Sequence, residues 1–396
     1  MSAAQALARA GADSVLAYIR RTAETVAEGV RWQTLNYQNR PHYDGSVFNG
    51  VGGIPFFLAD YYRLTGTAEA VDLARGALRW CATPRLPFVD GRSENPSLCF
   101  GRSGVGMAWL HLAAATNDVA ALGEAKAYGD RLVRTAPGPV VDFLGGAAGE
   151  GIFLVRLWEA SHDGRFLDGA VRRAEWVRDQ GVRDETGLHW PSRAGQSQSR
   201  WMPGFAHGDA GVAHFLVLLH QATGDAAWAD LPREAAATLS SHAQPDQGGL
   251  NWPYLVGGSG PPVCQWCHGA PGVGLFYAKA SEVLGDAAYL TTAKAAAETT
   301  FAYGDIRQNP TQCHGLAGNA ELFIELYRLT HEPLWLERAH HFAIRVLHYR
   351  SATPEGDLWP ADDPGYFSPD FMCGAAGTGH FFLRLWQPDQ VRMPLQ

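Results

Sequence analysis

No apolar stretch in this chain approaches the ~18–20 residues needed to cross a bilayer, so no membrane span is expected. Charged residues are only 18%, and no basic run stands out. Arg heavily outnumbers Lys, and the formal net charge is −8, so nucleic acid and anionic membrane surfaces are poor candidates as partners. Cysteine is also scarce. Six in 396 residues make no disulfide framework. The N-terminal stretch carries Arg9, Asp13, Arg20, Arg21 and Glu24 in an amphipathic pattern, which is unlike a signal peptide. A cytoplasmic location is therefore expected, where cysteine serves as a buried hydrophobe, a metal ligand or a reactive thiol. Hydrophobic residues reach 46%, enough for a large core and too many for a disordered chain.

What the chain does have is a repeat. A Gly-x-x-Gly unit followed by an apolar run appears seven times, with first glycines at Gly50, Gly101, Gly146, Gly208, Gly269, Gly315 and Gly374. One such unit is noise, but seven with the same downstream pattern mark a repeat architecture. Each spacing has room for two helices. The first is apolar nearly all round and should be buried. A turn follows, such as Thr65-Gly66, Asn117-Asp118, Gly224-Asp225 or Gly285-Asp286. A second, more charged helix comes next, as at 286–304 and 332–350, with apolar residues at three- and four-residue steps. The stretch from Ala4 to Val26 is expected to supply the seventh helix of that kind. Strand-like alternation is confined to short pieces near 139–144, 187–191 and 250–255.

An open stack of repeats needs polar caps at both ends. Here the first and last Gly-x-x-Gly runs are as apolar as the middle ones. The expected fold is therefore all-α, a closed α/α toroid of seven inner and seven outer helices in a double-layered barrel. It is expected to be a single domain over residues 1–396, with the segment 256–262 as a long loop over the barrel mouth. The glycines would mark the N-termini of inner helices, where backbones approach closely.

Chemistry collects at one phase of the repeat, just before the first glycine. Cys99, Asp142, His207, Cys267, His268, Cys313, His314 and Cys373 all fall there. In a ring these positions converge on one axial point. Thiolate and imidazole donors from neighbouring repeats suit Zn²⁺, and the expected ligands are Cys267, Cys313 and His314. Three protein ligands leave a fourth position open, which is the arrangement of a catalytic zinc. Helix N-termini also favour ionised thiols. The alternatives are small residues packing tight turns, or a closed Cys₃His structural site in which Cys264 of Cys264-x-x-Cys267 joins. His268 could replace His314 as ligand, or act as an acid beside the metal. Cys99 and Cys373 read as rim packing and Cys81 as inert core. The remaining histidines, His340 and His341 among them, read as ordinary surface or interface residues.

The stretches Trp266-Cys267-His268-Gly269-Ala270-Pro271-Gly272 and Cys313-His314-Gly315-Leu316-Ala317-Gly318-Asn319 resemble the zinc motifs of the lanthionine synthetase C-like family. Ala206-His207-Gly208, the Asp142 segment and the seven glycine units are similar to it too, from about residue 45 to the C-terminus. The resemblance implies a toroid around one zinc and a peptide cyclase. A metal-bound Cys thiol of a precursor peptide would add to dehydroalanine or dehydrobutyrine, giving a lanthionine or methyllanthionine ring. It further implies that Cys267, Cys313 and His314 are the ligands, that His207 is the general acid/base, and that Asp142 is its partner or a proton-relay carboxylate. Two positions depart from the pattern. His268 stands where stand-alone members often carry Tyr, and Val263 stands where some carry Arg; Arg200 or Arg102 could supply a cation instead. The partners implied are a dehydrated precursor peptide and separate dehydrating enzymes, a kinase/lyase or a dehydratase, since the chain has no room for such a domain.

Three other readings compete. One is a related enzyme that adds glutathione or another small thiol to dehydroamino acids. One is a sugar-processing α/α-barrel enzyme, for which Asp209, Glu150 and Glu321 form no convincing acid pair. The last is a non-catalytic scaffold with a structural zinc.

Overall fold

The computed structural model describes residues 2–83, 86, 88, 94–195, 201–261, 263–304 and 309–395. Arg200 lies outside them, as does one residue of the expected mouth loop at 256–262. The described residues hold fourteen α-helices, the number the repeat predicts. They are α1 (Ala3–Arg21), α2 (Ile54–Thr65), α3 (Ala68–Cys81), α4 (Arg102–Thr116), α5 (Val119–Leu132), α6 (Ala147–Ser161) and α7 (Gly164–Gln180). Then come α8 (Asp209–Thr223), α9 (Ala227–Ser241), α10 (Ala270–Leu284), α11 (Ala287–Tyr303), α12 (Leu316–Thr330), α13 (Pro333–Tyr349) and α14 (Ala375–Trp386).

Two compact units emerge from the contacts. Met1–Gly129, Arg307–Ala320 and Leu336–Gln396 form one, and Asp130–Ile306 with Glu321–Trp335 the other. In the first, α14 packs on α2 and α2 on α4, with α1 against α14 and α3 against α2. The second follows the same rule: α6 packs on α8 and α8 on α10, while α7, α9 and α11 each cover the helix before them. The helices that follow the glycines are buried nearly all round. In α8, every residue from Asp209 to Leu219 is buried. Their partners keep a polar face, as in α7, where Arg172, Glu175 and Asp179 are not buried.

Local chemistry sets the helix ends. Gly66, Asn117, His162, Gly224 and Gly285 close their helices in the left-handed conformation. Asp163 and Asp286 then cap the next helix through their side chains. The repeated glycines have a steric cause. At six of the seven units the N–H of the residue after the first glycine donates to the carbonyl seven residues earlier, for example Asp209 to Met202 at 3.0 Å and Arg102 to Asn95 at 2.7 Å. The preceding loop therefore folds back onto the helix start. A Cβ on Gly208 would lie 1.9 Å from the Met202 carbonyl oxygen, and one on Gly211 would lie 1.9 Å from that of Phe205. No side chain fits there.

The unit at Gly269 differs. Ala270 donates to the Asn251 side chain at 2.9 Å, and Gly269 has φ +96°.

Two expectations need correction. The N-terminal helix stops at Arg21 instead of running to Val26. Thr22 turns its hydroxyl back to the Tyr18 carbonyl, and Glu24–Val26 forms strand β1. β1 pairs with β2 (Gly29–Arg31) across a turn at Ala27-Glu28, which Gly29 leaves with φ +146°. Of the expected short pieces, 187–191 and 250–255 do fall in hairpins, and further hairpins form outside them. Hairpins join β3 (Thr34–Leu35) to β4 (Pro41–His42), β5 (Val182–Asp184) to β6 (Gly187–His189), and β7 (Gln244–Asp246) to β8 (Gly249–Asn251). Of the piece at 139–144, only Val140 bridges, to Arg193.

Candidate metal centre

The fold-back turns explain where the reactive side chains stand. Each occupies the last one or two positions before a glycine whose backbone is clamped, so the turn holds the side chain at the helix start.

In the unit containing α6–α11, His207 precedes α8. Its Nδ1 lies 2.8 Å from Asp142 Oδ2. Asp142 is buried, and its other oxygen accepts the Gly145 N–H at 2.7 Å. One carboxylate thus caps a turn and orients an imidazole. The His207 side chain keeps 38% of its surface exposed, so the ring is reachable. His268 stacks near His207, with ring centroids 6.0 Å apart, and Tyr254 packs on His268 at 4.4 Å. Cys267 is buried, with Sγ 3.6 Å from Gln265 Oε1.

Cys264 behaves differently. Burial pushes its thiol up to about 12, a hydrogen bond with Thr300 acts in the opposite direction, and it joins no metal-donor group among the described residues.

In the other unit, Cys313 and His314 precede α12. The Cys313 N–H donates to the Met372 carbonyl at 2.8 Å, and the thiol is buried. His314 Nδ1 meets Asp362 Oδ2 at 2.5 Å. Thr311 donates its hydroxyl to the other oxygen of Asp362. Burial opposes ionisation of Asp362, but the bond and charge of His314, with Thr311 and Cys373, hold its carboxyl below the usual range. His314, Asp362 and Cys373 offer ligand atoms within 4.8 Å of one another. Arg102, considered as a cation source, is buried with its guanidinium on the Cys81 carbonyl at 3.2 Å.

Sequence reasoning missed Asp362 and Tyr254. Both lie in loops outside the repeat, at no recurring phase. Asp209 and Glu150 are indeed unsuited to open acid catalysis. Asp209 is fully buried and its carboxyl is pushed well above the usual range by burial, while Glu150 is paired with buried Arg173 at 2.8 Å.

The lanthionine synthetase C-like protein family matches residues 41–395. The chain belongs to that family. A Danio rerio relative named glutathione S-transferase LANCL1 is 30% identical over 191 residues, 48% of this chain and 44% of the relative. An Arabidopsis thaliana protein named LanC-like protein GCL1 is 33% identical over 141 residues, 35% of this chain and 31% of its own. The match thus spans less than half the length of either curated relative. Among solved structures, nisin cyclase superposes with a TM-score of 0.69 at 16% identity, covering 96% of this chain and 94% of that one. A sugar epimerase from a ruminal bacterium gives 0.52 at 12% identity, over 97% and 99%. At such identities these likenesses speak to fold alone, and the fold of this LanC-like chain is of the α/α-toroid type, as expected. No helix among the described residues is long and apolar enough to cross a membrane.

Proposed function

We propose that this LanC-like protein is a zinc-dependent lanthipeptide cyclase. It would add Cys thiols of a dehydrated precursor peptide to dehydroalanine or dehydrobutyrine of the same peptide. Separate dehydrating enzymes would prepare that substrate. The observation that carries the reading is the His314 imidazole held by Asp362 next to the buried Cys313 thiol, with Cys267 proposed as the further thiol ligand. Two sulfurs and one imidazole fit Zn²⁺ with a position left open. The Asp362 carboxylate on His314 Nδ1 fits as well, since a metal-ligating imidazole commonly gives its other nitrogen to a carboxylate, leaving Nε2 for the metal.

A bound zinc lowers the pKa of a thiol that coordinates it. The chain's own residues supply the rest. Cys267, Cys313 and His314 would hold the ion, and Asp362 fixes the His314 ring. His207, oriented by Asp142 at Nδ1, has Nε2 for proton exchange near neutral pH. As the C–S bond forms, the electron pair of the alkene moves to the α-carbon. That carbon takes one proton, matching the one lost by the thiol. His268, whose ring lies against those of His207 and Tyr254, would serve as an accessory acid in this step.

A second reading has one observation in its favour, the name of the LANCL1 relative: addition of glutathione to dehydroamino acids. One experiment separates the two. A peptide holding both a Cys and a dehydroalanine is incubated with the protein, with and without glutathione, then treated with a thiol alkylator and weighed. Ring closure leaves the mass unchanged and removes the alkylatable thiol. Glutathione addition raises the mass by one glutathione. Both should disappear in Cys313→Ala. If the wild type promotes neither addition when loaded with zinc, the thiol-adding assignment is wrong.

A further inference from the structure

We infer that Asp60, His111 and His380 form a second metal site, for a first-row divalent transition ion. The three come from α2, α4 and α14, which pack on one another within one unit. They sit more than a turn into their helices, away from the glycine turns that carry the Cys-His motifs. His111 Nε2 lies 2.8 Å and His380 Nε2 3.0 Å from the same oxygen, Asp60 Oδ2. All three donor atoms fall within the span of a coordination sphere.

The rest of the arrangement fits ligation. Arg63 takes the other oxygen, Oδ1, with Nη2 at 2.7 Å and Nε at 3.0 Å. Asp60 is thus left to bind through Oδ2 alone, held by an outer partner of the kind that orients ligating carboxylates. Phe56 packs edge-on against His111 at 5.5 Å and Phe371 against His380 at 5.6 Å, which fixes both ring planes. Asp60 and His380 are buried, while the His111 side chain is 21% exposed and gives an ion a way in.

As a purely structural ion pair the cluster is over-supplied. One oxygen receives two imidazoles while a guanidinium covers the other. Among the described residues, fully buried His380 Nδ1 has no hydrogen-bond partner, so the ring is held through Nε2 alone. Two imidazoles and one carboxylate oxygen are a donor set for Zn²⁺, Fe²⁺ or Co²⁺, with further positions left for water. The positive charge of Arg63 sets its affinity below that of a thiolate site, so the test removes the thiolates first.

The full chain carrying Cys267→Ser, Cys313→Ser and Cys373→Ser is titrated with Co²⁺, followed by calorimetry and absorbance. The expected result is one Co²⁺ per chain, with visible d–d bands and no near-ultraviolet sulfur charge transfer. Adding His111→Gln should weaken binding at least tenfold with an unchanged circular dichroism spectrum. If the serine variant fails to fold, the wild type serves: a second equivalent of Co²⁺ should add d–d absorption without charge transfer, and His111→Gln should abolish that increment. Absence of stoichiometric binding in the folded serine variant overturns the site. So does binding indifferent to His111→Gln, or a wild type that takes no second equivalent.

Discussion

His314 and Asp362, 48 residues apart in the chain, meet through Nδ1 and Oδ2 at 2.5 Å. The imidazole is thereby fixed in one tautomer and one orientation. Asp362→Asn keeps an oxygen acceptor but removes the charge. Zinc affinity is expected to fall about 10–100-fold, the usual cost of losing such an outer partner. Competition against a chromophoric chelator reads this directly. An unchanged affinity would show that His314 is not a ligand.

Asp142 performs two tasks through two oxygens, and Asp142→Asn separates them. The amide oxygen can still accept the Gly145 N–H, so thermal stability should change little. The His207 ring loses its carboxylate, and turnover should drop about a hundredfold or more. Substrate-thiol binding, read from the Co²⁺-substituted spectrum, should persist. A fall in stability equal to that of Asp142→Ala would instead mark a capping role alone.

The glycine turns predict an unequal response to alanine. Gly208 has φ −135°, so its backbone is unstrained, but a Cβ would strike the Met202 carbonyl oxygen at 1.9 Å. Gly208→Ala should cost roughly 2–3 kcal/mol or more, since backbone must shift. Gly66 is left-handed at φ +74°, with nothing within 4 Å of an added Cβ. Gly66→Ala should cost only about 1 kcal/mol of backbone strain. Urea midpoints of the two variants check the order.

Asp370 predicts a pH dependence. Burial pushes its carboxyl up to about 7, against hydrogen bonds from Ser368 and the Cys373 N–H. The unfolded value is near 3.9. A raised folded value means that the folded protein binds the proton more tightly. Stability from this group is greatest below about pH 4 and is lost as pH rises from there through 7. Asp370→Asn should flatten the fall in melting temperature between about pH 4 and 7. A slope identical to the wild type would show that Asp370 ionises normally.

Much of this protein is legible from its residues alone. Seven glycine pairs, each before an apolar run, identify the helix pairs and their phase. The reason is local: a helix whose start is covered by its own preceding loop tolerates no Cβ, and a helix that ends left-handed selects Gly or Asn. The same clamped turns make the Cys-His positions readable, because they always stand one or two residues before the glycine. The hairpins near 187–191 and 250–255 leave a trace of alternation, whereas those formed by β1 to β4 and the early end of α1 do not, since two- or three-residue strands carry too little pattern to outweigh an amphipathic run. Tertiary structure alone decided the partnerships. Asp362 reaches His314 from a loop at no repeating phase, and Asp142 reaches His207 across α6 and α7. Asp60, His111 and His380 look like unrelated residues in three apolar helices until α2, α4 and α14 lie side by side. Periodicity and capping act over a few residues and leave their mark in sequence. Which polar side chains share a buried point depends on how distant helices pack, and no local pattern records it.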